Sequence, residues 1–323
     1  MRNILTISGK FSVLFACILV LTVSSFAQLS LRKALDVDAD GKADFTVFRP
    51  SNSTWYTLKS SNGTFAFQPF GSANEDYMAP GDFDGDGKGD VSVWRDTNGG
   101  WYRINSSTNT FTAVNFGTTG DEPVARDYDG DGKTDVAVAR RSNGAIIWYG
   151  LKSSDGSLIA AQFGNSTDFT APGDYDGDGK FDFGVQRPGA TASAQATFYI
   201  LKSSDNGLIV ASWGLSNDLV VPGDYDGDGK TDIAVVREGA TSATPLGWYI
   251  LQSSNGALKA ANFGNTGTDL NVQNDYDGDG KTDVAVWRDS NSTFYVLKST
   301  DNGLIVTPWG APSDFPVASY DTH

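Results

Sequence analysis

Asp82, Asp84, Asp86 and Asp90 fall within nine residues, in the run Asp-Phe-Asp-Gly-Asp-Gly-Lys-Gly-Asp. Carboxylates this close repel one another by roughly 4 kcal/mol per pair at an effective dielectric near 20. A hard divalent cation with oxygen ligands removes that repulsion. Positions 1, 3 and 5 of the run supply carboxylates, position 7 supplies a backbone carbonyl, and Gly at position 6 allows the sharp turn. Calcium suits this donor set, because magnesium keeps more of its waters and demands a stricter octahedron. No Glu stands at position 12, where Val93 is found, so Asp at position 9 is expected to complete the shell.

The same pattern, D-x-D-x-D-G-K-x-D, occurs six times at intervals of 45 to 51 residues. The predicted ligands are Asp36, Asp38, Asp40, Lys42 and Asp44; Asp82, Asp84, Asp86, Lys88 and Asp90; Asp127, Asp129, Asp131, Lys133 and Asp135; Asp174, Asp176, Asp178, Lys180 and Asp182; Asp224, Asp226, Asp228, Lys230 and Asp232; and Asp275, Asp277, Asp279, Lys281 and Asp283. Each Lys ligates through its carbonyl, and its side chain is expected to point to solvent. About six calcium ions, one per repeat, are implied.

The elements that hold these loops repeat as well. After each loop an alternating strand ends in Arg: Arg49, Arg95, Arg140, Arg187, Arg237 and Arg288. A second strand opens with an aromatic pair, such as Trp55-Tyr56 or Phe294-Tyr295, and runs into Asn-Gly or Asp-Gly in five of six units. That dipeptide between alternating segments is a strong hairpin signal. A third strand ends in Phe-Gly or Trp-Gly, and a short fourth segment leads into the next loop. The aromatics read as packing between units, since they recur in every one. Four short antiparallel strands per repeat, with no helical period, predict an all-β, six-bladed β-propeller, with seven blades as the alternative.

Asp also recurs six residues before five of the loops, at Asp76, Asp121, Asp168, Asp218 and Asp269; Ser30 stands at that place before the first loop. The chain end repeats this lead-in at Asp314 with no loop after it. In a hairpin centred on the loop, the lead-in Asp and the repeat Arg lie opposite each other, where opposite charges pair. The expected pairs are Asp76 with Arg95, Asp121 with Arg140, Asp168 with Arg187, Asp218 with Arg237, Asp269 with Arg288, and Asp314 with Arg49. The last pair would set the C-terminal strand into the first blade and close the ring.

Residues 1–27 read as a secretory signal peptide: Arg2 and Lys10, an apolar stretch from Phe11 to Val23, and the small-x-small site Ser25-Phe26-Ala27. The sole cysteine, Cys17, lies inside it, so the remainder, 28–323, forms no disulfide. With two of the 24 basic residues in the leader and 39 acidic residues outside it, that remainder carries net charge −17. Six calcium ions would bring it to about −5. The acidity thus reads as metal ligands, and it argues against a nucleic-acid partner. Secretion is expected, to the exterior, a periplasm or a cell surface, as a monomer with no membrane span after cleavage.

The Phe-Gly and Trp-Gly doublets, with runs such as Gly223 to Asp232, resemble the FG-GAP/VCBS repeat family, which includes integrin alpha-chain propellers. The resemblance implies calcium loops joining the first and second strands of each blade on one face, and a ligand on the other. The chain departs from the family after the second strand, where Arg-Pro, Arg-Asp or Arg-Glu replaces Gly-Ala-Pro.

Catalysis is not expected. Of 36 Asp, 24 sit in the loops and six at the lead-in position; the three Glu, Glu75, Glu122 and Glu238, are scattered, and the one His is His323. General acid–base chemistry needs a positioned His or tuned carboxylate, and glycoside hydrolysis needs two flanking carboxyls. The expected role is an extracellular binding or adhesion module for a glycan or protein. Alternatives are a polysaccharide lyase or hydrolase, and a structural repeat component of a surface assembly. Asymmetry marks where a ligand would bind. From repeat Arg to aromatic pair takes six residues in units 1, 2 and 6, eight in unit 3, and eleven in units 4 and 5. The extra residues, around Pro188 to Ala196 and Glu238 to Leu246, are expected on adjacent blades, opposite the calcium loops.

Overall fold

Alternation of apolar and polar residues makes the outer segments, such as Leu208–Leu215, strands with one face to cover. The strands after the loops, such as Phe45–Arg49, are buried at successive positions and have both faces covered. Six four-stranded antiparallel sheets result, and they cover one another in a ring. The computed structural model describes residues 34–318; the expected signal peptide, Cys17, Ser30 and His323 lie outside them. Among the described residues the only helical element is a 3₁₀ turn at Asp289–Asn291. The number of blades is six, not seven.

Each blade begins with a short strand nearest the ring axis: Asp76–Met78, Glu122–Pro123, Phe169–Thr170, Leu219–Val220, Asp269–Asn271 and Phe315–Pro316. The last belongs to the first blade, where Pro316 pairs with Val47 and Phe315 with Phe48. Both ends of the described chain therefore build one sheet, as the lead-in at Asp314 predicted.

All six Arg–Asp pairs form. Asp76 lies directly across from Arg95, and Asp269 from Arg288. Arg49 donates from Nε and Nη2 to the two oxygens of Asp314, at 2.8 and 2.9 Å. Each lead-in carboxylate also accepts the backbone N–H that follows the Phe-Gly or Trp-Gly doublet, such as Ala311 on Asp314 or Ser72 on Asp76. The carboxylates are buried while the guanidiniums stay about one-third exposed. Each guanidinium then lies on the second aromatic of its blade's pair, as Arg49 does on Tyr56 at 4.3 Å and Arg187 on Tyr199 at 4.4 Å. The first aromatic of the pair goes into the core instead; Trp101, Trp148, Trp248 and Phe294 are essentially inaccessible.

The doublet glycine is required where blades meet. Gly164 has φ +103, and a Cβ there would fall 2.9 Å from Val185 of the next blade. Gly310 repeats the contact with Val47 across the seam. Outer strands leave Phe65, Phe67, Phe111, Leu208 and Leu304 more than half exposed around the rim.

The Asn-Gly signal marks a hairpin, but not a two-residue turn. In the first blade Lys59 N–H donates to Thr64 and Gly63 N–H to Lys59, which encloses four loop residues. The left-handed residue is always the fourth after the one whose carbonyl accepts its N–H: Gly63 after Lys59, Asn109 after Asn105, Gly156 after Lys152, Asn206 after Lys202, Gly256 after Gln252 and Asn302 after Lys298. Asn109 explains the one unit without the dipeptide.

Asp314→Ala should lower the melting temperature by roughly 5–10 °C, since orphaning a partly buried partner costs about 2–4 kcal/mol. Calorimetry beside Asp168→Ala, an interior pair, checks this: equal losses are expected if the seam carries the same load as the other joints.

Candidate functional site

Each aspartate loop turns back on its first residue. Asp82 accepts the N–H of Gly85 on Oδ1 and of Gly87 on Oδ2, at 2.7 and 3.0 Å. Gly87 has φ +88, a conformation that side chains disfavour. The third-position Asp84 accepts the N–H of Asp86, and Asp86 accepts that of Lys88. Asp90 at position 9 clamps both flanks, holding Phe83 N–H on Oδ2 and Ser106 N–H on Oδ1. Carboxylate oxygens of Asp36, Asp38 and Asp40 lie within 4.8 Å of one another, as do those of Asp82, Asp84 and Asp86, and of Asp127, Asp129 and Asp131. Position 9 joins the cluster in Asp174, Asp176 and Asp182 and in Asp224, Asp226 and Asp232. Asp38 Oδ1 is buried without a hydrogen-bond partner. A cluster of acidic oxygens, one of them orphaned in the interior, fits a metal ion and is costly without one.

A second set of residues completes these sites. The β-turn between the third and outer strands of every blade carries Ser-Ser or Ser-Thr and docks on the aspartate loop. Ser106 Oγ donates to Asp86 and Ser107 Oγ to Asp84, at 2.9 and 2.7 Å. The same contacts recur from Ser60 and Ser61 to Asp40 and Asp38, and from Ser299 and Thr300 to Asp279 and Asp277. Sequence reasoning missed these hydroxyls. The available signal was their constant place just before the left-handed turn residue.

Neighbouring loops are joined. The N–H at position 8 donates to the carbonyl at position 1 of the preceding blade's loop: Gly89 to Asp36, Thr134 to Asp82, Phe181 to Asp127, Thr231 to Asp174, Thr282 to Asp224, and Ala43 to Asp275, at 2.6–2.8 Å. The circuit closes on itself. Position 7 corrects an expectation, because the Lys side chain does not simply project to solvent. Its stem lies across the preceding loop, so that a Cβ on Gly85 would fall 2.6 Å from Lys133 Cε, and one on Gly278 3.1 Å from Lys42 Cε. Apolar stems cover backbone that would otherwise be wet.

The opposite face is not uniform. The residue after each lead-in Asp is Tyr77, Glu122, Phe169, Leu219, Leu270 or Phe315. Four of these, Tyr77, Glu122, Phe169 and Leu219, line a cavity of about 880 Å³ at the axis. Ala192 and Ser193 from the unit 4 insertion, and Glu238 and Gly239 from the unit 5 insertion, complete its wall. Both insertions thus sit opposite the aspartate loops. Glu122 pairs with Arg141 and accepts the Thr170 hydroxyl, while Arg141 also donates to the Asp168 carbonyl at 3.0 Å. The glutamates are less scattered than the sequence suggested. Glu122 and Glu238 share this cavity, and Glu75 lies 3.4 Å from Arg95.

A family model described as an FG-GAP-like repeat matches residues 36–93 and 127–185. Those two segments are similar to FG-GAP-like repeats. No curated protein matches the sequence. Among solved structures, a mutant form of AofleA from Arthrobotrys oligospora is similar at 8% identity and TM-score 0.52, over 90% of each chain. That likeness concerns the fold alone. The Dos1 propeller (12% identity, TM-score 0.42, 81% of this chain and 67% of that one) and the exotype rhamnogalacturonan lyase YesX (13%, 0.36, 83% and 66%) are more distant. No helix among the described residues is long and apolar enough to cross a membrane.

Burial raises several loop carboxylates at positions 1 and 9, with backbone N–H bonds only partly opposing it. Asp127, Asp182 and Asp232 are pushed up to about 7, and Asp44, Asp90, Asp135, Asp224 and Asp283 to about 6. Between the ordinary value of 3.8 and these values the folded chain binds protons that the unfolded chain does not. Ion-free stability from these groups is therefore full below pH ~4 and lost as pH rises through 6–7. In chelator, the melting temperature should rise on going from pH 8 to pH 5.5. With a divalent cation present the gain from the ion should be large at pH 8 and shrink at pH 5.5, because protons compete for the same oxygens. Calorimetry at both pH values, with and without chelator, measures this.

Proposed function

We propose that this FG-GAP-like propeller is a secreted, calcium-stabilised binding module that takes an extracellular glycan or protein in the axial cavity opposite its aspartate loops. The contrast between the two faces carries the reading. The aspartate face repeats six times, as a structural fastener would, whereas a single ligand needs an asymmetric site. The cavity has that asymmetry: it draws different side chains from four consecutive blades and receives both long insertions. A concave site of mixed apolar and polar lining, within the usual 300–1,000 Å³ of ligand pockets, is the default place for a ligand.

Calcium fits the loops better than magnesium because clustered carboxylates, backbone carbonyls and Ser hydroxyls form a flexible all-oxygen shell. The Lys carbonyls at position 7 are the proposed backbone ligands. The protein works as a monomer in this reading, outside the cell, where calcium is abundant and the absence of cysteine in residues 28–323 is no handicap.

A second reading, polysaccharide turnover, draws on the Glu122–Arg141 pair in the same cavity. Both oxygens of Glu122 are engaged by Arg141 and Thr170, which favours recognition over proton transfer. Product formation on a polysaccharide panel would decide for the enzyme.

Titration calorimetry should find about six calcium sites per chain, at the roughly 0.1–1 mM affinity of extracellular modules. Each site held at ten times its Kd adds about 1.4 kcal/mol, so chelation should lower the melting temperature markedly. Replacing residues 188–196 and 238–246 by the short turn of unit 6 should abolish ligand retention and leave the calcium-dependent melting shift intact. Retained binding by that variant would refute the cavity as the site.

A further inference from the structure

Around the ring, the side chain that follows each lead-in Asp is aromatic or aliphatic in five blades and a carboxylate in one. Glu122 stands between Tyr77 on the preceding blade and Phe169 on the following blade, both more than 40% exposed. Its pair with Arg141 is only partly covered, with side-chain exposures of 19% and 34%. The wall of the cavity therefore presents one acceptor–donor couple flanked by two aromatic residues. Resting on the cavity as the ligand site, we infer that its ligand is a neutral saccharide, with adjacent hydroxyls bound by Glu122 and Arg141 and C–H faces packed on Tyr77 and Phe169.

The chemistry selects this class by exclusion as well as by fit. An anionic ligand such as a phosphate or uronate needs an uncompensated cation. Arg141 is matched by Glu122, and Arg237 is held in two places by Asp218. Glu238 adds further negative charge to the wall. An entirely apolar ligand would strip water from the Glu122–Arg141 couple and return no hydrogen bonds, leaving its desolvation uncompensated. A hydroxyl pair answers both partners at once: it donates to the carboxylate and accepts from the guanidinium, whose N–H groups beyond the two already engaged still point from a rigid plane. Aromatic faces carry partial negative charge and attract the positive C–H groups of a sugar ring. The insertions add Ser193 at the wall, a further hydroxyl suited to a polyol.

The test is an immobilised oligosaccharide array probed with the full chain in calcium, containing neutral hexose, deoxyhexose and N-acetylhexosamine ends, uronate and sulfated ends, and amino-sugar ends. Neutral ends should be retained and anionic ends should not. Glu122→Gln and Phe169→Ala should each weaken retention at least tenfold, with the calcium-dependent melting shift preserved; Glu75→Gln, outside the cavity, should bind as the parent does. Retention of only anionic or amino-sugar ends, or of none, overturns the inference. A protein ligand lost on replacing the two insertions would overturn the saccharide class while upholding the cavity. Neutral-sugar binding unchanged in both cavity variants would overturn the cavity itself.

Discussion

The hydrogen bond from the eighth residue of one aspartate loop to the first residue of the loop before it, repeated six times around, constrains everything else in this molecule. It is made by backbone, so it fixes distance and pitch without regard to side chain. Each such bond contributes only about 1 kcal/mol, but the set forms a closed circuit in which no loop can shift alone. The nine-residue loop must therefore keep its length in all six blades, and it does. On the other face, among the described residues, neighbouring blades share no backbone–backbone bond and are joined by side chains such as Arg141 and Thr170, and turn length varies from unit to unit. Uniformity and variation are thus separated by one strand length, which is the ground for proposing metal and ligand on opposite faces.

The Arg–Asp–Tyr stack is what tolerates that variation. The carboxylate is buried and has three donors, two from the guanidinium and one from the turn after the aromatic-Gly doublet. The guanidinium keeps one edge toward water and one face on a Tyr ring. Because the charges are neutralised within each blade, the turns above them can lengthen without exposing a lone buried ion. The cavity is a product of this freedom: unit 3 adds Arg141 beside its repeat arginine, and units 4 and 5 add their insertions next to it.

Most of the fold was legible because the repeat multiplies weak signals. One aspartate loop or one Asn-Gly is ambiguous, whereas six in register are not, and Asp314 standing alone at the chain end disclosed the seam. What escaped has physical reasons. The circuit between loops uses only backbone atoms, which leave no trace in residue type. The Ser pairs were hidden because the variable turns lie between them and their aspartates: Ser106 follows Asp90 by 16 residues, but Ser203 follows Asp182 by 21. The Lys stems were misjudged because position 7 was read only for its carbonyl, while four methylene groups were available to cover the neighbouring loop. The two insertions pointed to part of the cavity wall, but the side chains after the lead-in Asp, which also differ between repeats, were not compared. Aligning the residue after each lead-in Asp would have isolated Glu122.

The seam has a consequence for how the chain is made. Arg49 and Asp314 are 265 residues apart, and the strand Phe45–Arg49 gains its inner partner only when Phe315 and Pro316 arrive. Until then the growing polypeptide is an open arc with an unpaired strand edge at its oldest blade, the kind of edge that recruits stray strands. The last blade to be finished is the first to be synthesised. At the moment of closure all six loops are already made and five of their six contacts can be in place, so only the contact from Ala43 to Asp275 waits for the ring to shut.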